Sequence, residues 1–304
     1  MTKRSEAVLL VKRKILNILF ALLFIVGFGI LAYPAVSNEW NTYVQSTLIS
    51  SYDSSVSEMT ETDFSVEWQK AQAFNSTITV NNIGTDVFNS GEGEKSEDFF
   101  NSEYYKVLNV NSDGIMGYLS IPKINIKYSI YHGTFDDDLQ TGLGHLNGTT
   151  LPIGGASTHS VIAGHRGLPT SELLTNIDQL QPGDKFYIHV LGETLAYQVD
   201  QILPMIEAED METLSSALAI EEGKDYVTLF TCTPYGVNTH RLLVRGTRVE
   251  YLGEDEVPTG TEAVVSTVKD YYMIFLIAGM IVAAILIFII SRIFKRKAKK
   301  EQAS

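Results

Sequence analysis

The chain has 304 residues, of which 45% are hydrophobic and 19% charged, with 23 basic and 36 acidic side chains. This length is enough to bury one large hydrophobic core or two modest ones. The formal net charge of −13 argues against nucleic acid as a partner, because phosphate binding needs a basic surface.

Basic residues are concentrated at the two ends of the chain. Residues 1–14 and 291–304 together hold eleven basic and two acidic side chains, a net charge of +9. Residues 15–290 hold twelve basic and 34 acidic side chains, a net charge of −22. This separation of charge excludes a wholly cytosolic globular protein and points to a membrane between the tails and the middle of the chain.

Two apolar stretches, 15–33 and 271–290, lie next to the basic tails. Each is long enough to cross about 30 Å of hydrocarbon at about 1.5 Å per residue. Because Lys and Arg beside a span favour the cytoplasmic side, the sequence predicts two spans, both tails in the cytoplasm and residues 34–270 outside. The lipid bilayer is thus the first predicted partner.

The first stretch has an alternative interpretation as a cleaved signal peptide. Ala35, Val36 and Ser37 provide small residues at the spacing of a cleavage site after Ser37. The apolar run of 19 residues is, however, longer than the roughly 7–15 residues of a signal-peptide core, so a retained anchor is preferred.

The segment outside the membrane changes character along its length. Residues 34–83 are predicted to be helical, with Phe64, Trp68, Ala71 and Phe74 forming a stripe that packs on the following domain. Residues 84–98 are glycine-rich and loop-like, 99–251 have β character, and 252–270 form a linker to the second span.

Short apolar or alternating runs, bounded by glycine and proline, predict an antiparallel sheet closed as a barrel or sandwich. The candidate strands are 115–121, 126–131, 160–163, 185–191, 194–203, 226–231 and 241–249. One helix is predicted over 171–180, because its apolar residues follow a Ser or Thr able to cap it.

The single cysteine, Cys232, ends the apolar run 226–231, immediately before a Pro-containing turn. A lone thiol in an extracytoplasmic domain is an inert buried sulfur, an intermolecular bridge or a reactive nucleophile. His165 ends another predicted strand, and Arg241 opens the strand after the turn, where antiparallel pairing would place it opposite the cysteine.

Attack of a thiol on an amide needs a thiolate, a proton for the leaving amine and stabilisation of the oxyanion, which Cys, His and Arg can supply without a cofactor. His240 is the rival of His165, but adjacent strand residues point to opposite faces, so His240 and Arg241 cannot both face Cys232. The remaining histidines have no metal-ligand spacing and are predicted to be structural, with no metal site: His132, His145, His159 and His189.

Three motifs in unbroken order resemble those of sortases. Residues 228–232, Thr-Leu-Phe-Thr-Cys, match the TLxTC signature; residues 163–167, Ala-Gly-His-Arg-Gly, resemble the histidine loop; and residues 240–246 resemble the arginine strand. Segments 114–122 and 131–134 and the C-terminal span resemble class C sortases, the pilus-assembly enzymes of Gram-positive bacteria. The resemblance implies an eight-stranded β-barrel with N-terminal helices, flanked by two transmembrane helices.

The resemblance also implies a reaction and its participants. The enzyme would cleave an LPxTG-type sorting signal of a pilin between Thr and Gly, through a thioacyl intermediate, and a lysine amine of the next pilin would resolve it. Cys232 would be the nucleophile, His165 the general acid and base, and Arg241 the group that positions substrate and stabilises the oxyanion.

A lid over the cysteine is a further implication of the resemblance. Its Asp-Pro-aromatic motif corresponds here to Asp86, Val87 and Phe88, with Val87 in place of the stiffening proline. Two other functions are kept as alternatives. One is an enzyme with the same triad, either a thiol hydrolase or a housekeeping-type sortase that anchors surface proteins to the cell wall. The other is a non-catalytic membrane-tethered surface protein.

Overall fold

The computed structural model describes residues 3–81, 88 and 94–255, together with four single positions, 279, 280, 283 and 292. The chain divides into two compact units, Met1–Glu256 and Val257–Ser304, and the first contains the sheet and the helices packed on it. Apart from those four positions, the predicted second span, 271–290, and the C-terminal tail lie outside the described residues, as does most of the predicted linker.

The first helix, α1, is Lys3–Ser57, and Pro34 lies inside it. Its part Val11–Ser57 is, among the described residues, the one helix long and apolar enough to cross a membrane, with a hydropathy of 2.7 in its apolar window. The predicted first span is therefore helical, but the helix does not end at the predicted boundary of residue 33. It continues through the polar stretch that follows.

Helix α2, Glu61–Thr77, begins at a capping box. The Thr60 hydroxyl accepts from the Asp63 backbone N–H, and the Asp63 carboxylate accepts from the Thr60 N–H, which satisfies two donors at the helix start. The predicted stripe is confirmed: Ala71 is fully buried in the core, and Phe64 and Trp68 stack in parallel beside it.

Eight strands form the domain that follows the helices α3 (Glu97–Asn101) and α4 (Glu103–Lys106). The strands, with two further short helices α5 and α6, run in the chain order β1 Ile115–Ile121, β2 Ile126–His132, α5 Asp136–Leu139, β3 Leu143–His145, β4 Thr158–Ala163, β5 Lys185–Val190, β6 Glu193–Glu207, α6 Met211–Ala217, β7 Asp225–Thr233 and β8 His240–Val249.

The strands close into a barrel in the order β1-β2-β3-β4-β7-β8-β6-β5, which confirms the predicted mainly-β barrel. Two neighbouring pairs, β2 with β3 and β4 with β7, are parallel, and the other pairs are antiparallel. The expectation of an antiparallel sheet was therefore incomplete. Strands β4 and β7 are far apart in sequence, and such a connection permits parallel pairing that no local pattern announces.

Two other predictions differ from the structure. Strand β3 was not predicted, because three residues are too few for an alternating pattern. The helix predicted over 171–180 was wrong: the segment has turns and one 3₁₀ helix, Ile177–Gln179. Its backbone bonds back to the preceding loop, since the Leu174 N–H donates to the His165 carbonyl, and Leu173 has a positive φ of 42° that interrupts a helix.

Side chains of β7 and β8 are buried on both faces of the barrel wall. Leu229 and Val244 belong to the interior core, whereas Phe230 and Leu243 belong to a second apolar cluster on the opposite face, which includes Leu214 of α6. A wall covered on both sides explains the continuous apolar run before Cys232.

Candidate active site

Cys232 and Arg241 are directly paired residues of the antiparallel strands β7 and β8. Paired residues point to the same face, so the thiol and the guanidinium lie side by side, as the hairpin predicted. This is the face of Phe230 and Leu243, outside the barrel interior. Both side chains are buried: Cys232 is 5% and Arg241 1% exposed.

The buried guanidinium of Arg241 is bonded to the turn between the two strands. Its Nη1 donates to the carbonyls of Asn238, at 2.8 Å, and His240, at 2.9 Å. Asn238 has a positive φ of 61°, which belongs to the turn conformation that directs its carbonyl to the arginine. Because burying a cation is costly without such partners, the turn and the arginine stabilise each other.

His165 follows β4, which is parallel to β7 with Ala163 opposite Phe230. His165 lies two residues after Ala163, and Cys232 lies two residues after Phe230. The two residues are therefore at the same height along this pair of parallel strands. Two hydrogen bonds continue the alignment beyond the strand: Gly164 N donates to the Phe230 carbonyl at 3.1 Å, and Thr231 Oγ1 donates to the Gly164 carbonyl at 2.6 Å. The structure thus brings all three predicted residues to one end of the barrel.

Arg166 is a residue of this site to which the sequence reasoning gave no role. Its Nη1 donates to Thr233 Oγ1 at 3.1 Å, and its Nη2 forms an ion pair with Asp178. It therefore joins the residue after His165 to the residue after Cys232. Its position beside the histidine was visible in the sequence, but its partners, distant along the chain, were not.

The pKa of His165 is lowered from its usual value, because burial disfavours the imidazolium, while the nearby carboxylate of Asp136 partly opposes the shift. The imidazole is accordingly neutral at pH 7 and able to accept a proton. Asp136 is the first residue of α5, and its carboxylate favours the protonated form of the histidine.

Phe88 packs against this group of side chains. Its ring centroid lies 5.5 Å from that of His165, 5.6 Å from that of Phe230 and 5.5 Å from the guanidinium carbon of Arg241. Asp86, the other predicted lid residue, lies outside the described residues.

The far end of the predicted lid segment, 84–98, is held by an ion pair. Lys95 Nζ is 2.7 Å from the Asp138 carboxylate, and the same ammonium lies over the ring of Phe135. Burial raises the pKa of Asp138, and Lys95 opposes that shift. The segment is thus tied to α5, close to His165.

His240, the rival histidine, pairs with Thr233 and therefore faces away from Cys232. The other four histidines lie in strands: His132 ends β2, His145 ends β3, and His159 and His189 lie within β4 and β5. Within the described part of the chain, no three His, Cys, Asp or Glu side chains are grouped to hold a metal ion.

Comparisons with known proteins agree with this geometry. Residues 119–249 match the model of the sortase domain. Sortase C-1 from Streptococcus pneumoniae is 42% identical with a TM-score of 0.61, and the alignment covers 68% of this chain and 100% of that one. Sortase C1 from Streptococcus agalactiae is 43% identical with a TM-score of 0.59, covering 67% and 99%. A pilus-related sortase C of group B Streptococcus is 40% identical with a TM-score of 0.58, covering 66% and 97%.

A more distant curated relative, sortase D from Bacillus subtilis (strain 168), is 27% identical over 136 residues, which are 44% of this chain and 63% of that protein. The chain thus spans less than two thirds of the length of that relative. The three solved structures, by contrast, are matched almost end to end at 40–43% identity. The chain belongs to the sortase family, whose members are cysteine transpeptidases.

Proposed function

We propose that this chain is a pilus-assembly transpeptidase that cleaves LPxTG-type sorting signals of pilins and joins them to a lysine amine of the next pilin. The observation that carries the proposal is the pairing of the single thiol, Cys232, with the buried Arg241, at the level of His165 and beneath Phe88. The pilus-related sortase among its structural relatives supports pilins as the substrate class.

The first half of the reaction breaks the Thr–Gly amide of the sorting signal. His165, neutral because burial lowers its pKa, takes the proton of the Cys232 thiol. The thiolate attacks the threonine carbonyl, and the guanidinium of Arg241 stabilises the oxyanion that develops. The C–N bond then breaks, His165 gives its proton to the leaving glycine amine, and a thioacyl bond to Cys232 remains.

The second half forms the bond between subunits. A lysine amine of the next pilin attacks the thioacyl carbon and passes a proton to His165. The C–S bond breaks, the sulfur recovers the proton, and an isopeptide bond is left. Every proton that leaves a nucleophile reaches a leaving group through one imidazole, so the reaction needs no metal or cofactor.

We further propose that residues 84–98 form a lid, in which Phe88 covers the site and Asp86 pairs with Arg241. The contacts of Phe88 with His165 and Arg241 support this role. Val87 lacks the stiffness that proline would give this turn, which favours opening of the lid.

The proposed location is the cell membrane, with two spans, both tails in the cytoplasm and residues 34–270 outside. The apolar stretch of α1 and the basic residues that precede this stretch support the first span. Protease added to intact, wall-stripped cells should digest the central domain and spare a tag at Ser304. Protection of the central domain would contradict the topology.

The activity is tested with the full chain in detergent, an LPxTG peptide and a pilin fragment carrying the acceptor lysine. The wild-type chain should release the peptide beyond Thr and form an isopeptide-linked product, and Cys232→Ala should do neither. His240→Ala is the matched control, because this residue faces away from the thiol and should leave the rate nearly unchanged.

Three outcomes would redirect the proposal. Product formed only with a cell-wall peptide amine, and not with the pilin lysine, would indicate a wall-anchoring enzyme. Cleavage with water as the only acceptor would indicate a hydrolase. Equal activity of Cys232→Ala and wild type would exclude thiol chemistry altogether.

A further inference from the structure

Helix α1 continues without a break from the apolar stretch into the domain, and it docks there with one face. Gln45 lies on that face with both ends of its amide bonded: Nε2 donates to the Thr141 carbonyl at 3.0 Å, and Oε1 accepts from the Ser129 N–H at 2.8 Å. Further along, the Tyr52 hydroxyl accepts from the Leu191 N–H at 2.9 Å. These bonds fix the height of the helix against the barrel.

The part of α1 nearest the apolar stretch is bonded to the loop that follows His165. Asn41 Nδ2 donates to the Thr170 carbonyl at 2.7 Å, and Asn38 Oδ1 accepts from the Glu172 N–H at 2.9 Å. Two residues beyond Glu172, the N–H of Leu174 donates to the carbonyl of His165. The histidine loop therefore lies at the level of residues 38–41 of α1.

The opposite end of α1 lies at the opposite end of the barrel. Val56 lies beside Gly192, where a Cβ would approach its side chain to 3.4 Å. Strand β6 begins next to Gly192 and pairs with the end of β8, which in turn pairs with the start of β7. Strand β7 runs from this end of the barrel to Cys232, over about 23 Å at about 3.3 Å per residue, and Cys232 therefore lies at the end nearest the apolar stretch.

The height of the membrane surface follows from the charge pattern. Residues 15–38 contain no charged side chain, and 24 helical residues span about 36 Å, which exceeds the roughly 30 Å of hydrocarbon in a bilayer. The outer hydrocarbon edge therefore falls between residues 34 and 38 of α1, so residues 38–43 begin in the headgroup layer, which is about 5–8 Å thick.

Two aromatic side chains occupy this level of α1 without being used by the fold. Trp40 and Tyr43 are each 64% exposed, their ring centroids are 5.9 Å apart, and they project from the side opposite Asn38 and Asn41. Trp and Tyr are enriched at the membrane–water interface, where their apolar rings and polar groups are both accommodated. Tyr235, in the turn after Cys232, is likewise 60% exposed at this end of the barrel.

We infer that the catalytic end of the barrel rests on the lipid surface, with Trp40, Tyr43 and the loop 168–172 in the headgroup layer. The inference rests on the proposed membrane span. Its consequence is that a sorting signal attached to a membrane-held substrate meets Cys232 close above the bilayer, without a long extended tail.

The two tryptophans of the chain provide a matched test. Full-length Trp68→Phe keeps only Trp40, whereas Trp40→Phe keeps only Trp68, which is half-buried on α2 near the distal end of the barrel. Both are reconstituted in vesicles of phosphatidylcholine and phosphatidylglycerol with a nitroxide on the headgroup. The fluorescence of Trp40 should fall at least about twofold more than that of Trp68, and equal quenching would overturn the inference.

A second pair of variants tests the histidine loop itself. Pro169→Cys and Glu222→Cys, each made in a full-length Cys232→Ser chain, place a fluorophore at exposed positions at opposite ends of the barrel. The headgroup nitroxide should quench the label at 169 more strongly than that at 222. The reverse order would overturn the inference.

Flotation with the vesicles separates the two possible failures. A chain that does not float with lipid contradicts the proposed span, and it thereby also contradicts the contact of the catalytic end with the lipid surface. A chain that floats, but whose Trp40 and residue 169 label are unquenched, contradicts only the orientation of the catalytic end.

Discussion

Histidines lie inside the sheet of the barrel and at its catalytic end, and the histidines of these two regions differ in the hydrogen-bond partners of their ring nitrogens. His145, inside the sheet, accepts from the Tyr104 hydroxyl at Nδ1, 2.8 Å away, and donates from Nε2 to the Thr150 carbonyl at 2.9 Å. His159 has the opposite tautomer: Nδ1 donates to the Ala219 carbonyl, and Nε2 accepts from the Thr228 hydroxyl. Fixed acceptors and donors therefore assign each ring one protonation state.

His165, at the catalytic end, has no such fixed partner. In the part of the chain that the structure describes, its ring packs against that of Phe88 at an interplanar angle of 44° and makes no side-chain hydrogen bond. Burial lowers the pKa of His165, His145 and His159 alike. A lowered pKa thus does not distinguish a structural from a catalytic histidine, whereas the availability of the ring nitrogens does.

The largest expected effect concerns the histidine at the catalytic end. His165→Ala should slow isopeptide formation by about 10²–10⁴-fold, because the leaving amine loses its proton donor. Its melting temperature should stay close to that of wild type, since no fixed hydrogen bond is lost. Kinetics and thermal denaturation of the full chain in detergent would measure the rate and the melting temperature. A His165→Ala variant that lost stability but kept its rate would contradict the proposed difference between His165 and His145.

A smaller loss of rate is expected for the arginine beside the thiol. Arg241→Lys keeps the charge but loses the planar fork and its bonds to the turn, so the rate should fall by about 10²–10³-fold. His240→Ala, on the other face of β8, is the neighbouring control. Normal rates in Arg241→Lys together with inactivity of His240→Ala would show that the faces of β8 have been assigned wrongly.

The structural region should respond in stability rather than in rate. His145→Gln should lower the free energy of unfolding by about 1–3 kcal/mol at pH 7, because the Tyr104 hydroxyl or the Thr150 carbonyl loses a well-placed partner. Urea denaturation of the full chain measures this change, and the rate per folded molecule should be unaltered.

The pH dependence of that difference follows from the buried imidazole. Burial lowers the pKa of His145 to about 3 in the folded chain, whereas it is about 6.5 in the unfolded chain. The unfolded state therefore binds the proton first, and wild-type stability, fully present above pH 6.5, decreases as the pH falls from 6.5 toward 3. His145→Gln lacks this titration. The difference in unfolding free energy between the wild type and the variant should therefore narrow by about 2 kcal/mol between pH 6.5 and 5. A constant gap would mean that His145 is protonated in the folded chain.

The smallest effect is expected at the cover of the catalytic end. Phe88→Ala removes ring contacts worth about 0.5–1.5 kcal/mol and should raise the rate of Cys232 labelling by a thiol reagent about two- to tenfold. Asp86→Ala should act in the same direction, without unfolding the domain. Unchanged labelling in both variants would mean that residues 84–98 are only a linker.

Local patterns in the sequence were sufficient for much of this protein. The apolar stretch 15–33 predicts a helix long and apolar enough to cross a membrane, and short apolar or alternating runs predict seven of the eight strands. A lone thiol at the end of a doubly buried strand, nine residues before Arg241, places the two opposite each other through hairpin geometry. Such inferences succeed because they depend on residues close together along the chain.

Tertiary structure decided what depends on distant residues. The parallel pairing of β4 with β7, which brings His165 to the level of Cys232, has no local signal. The segment 171–180 has a helical apolar pattern, but it forms turns because its backbone bonds to the histidine loop and its apolar side chains fill the core. The near-complete burial of Arg241 and the docking of α1 on the loop after His165 arise in the same way, from contacts that form only when the barrel closes.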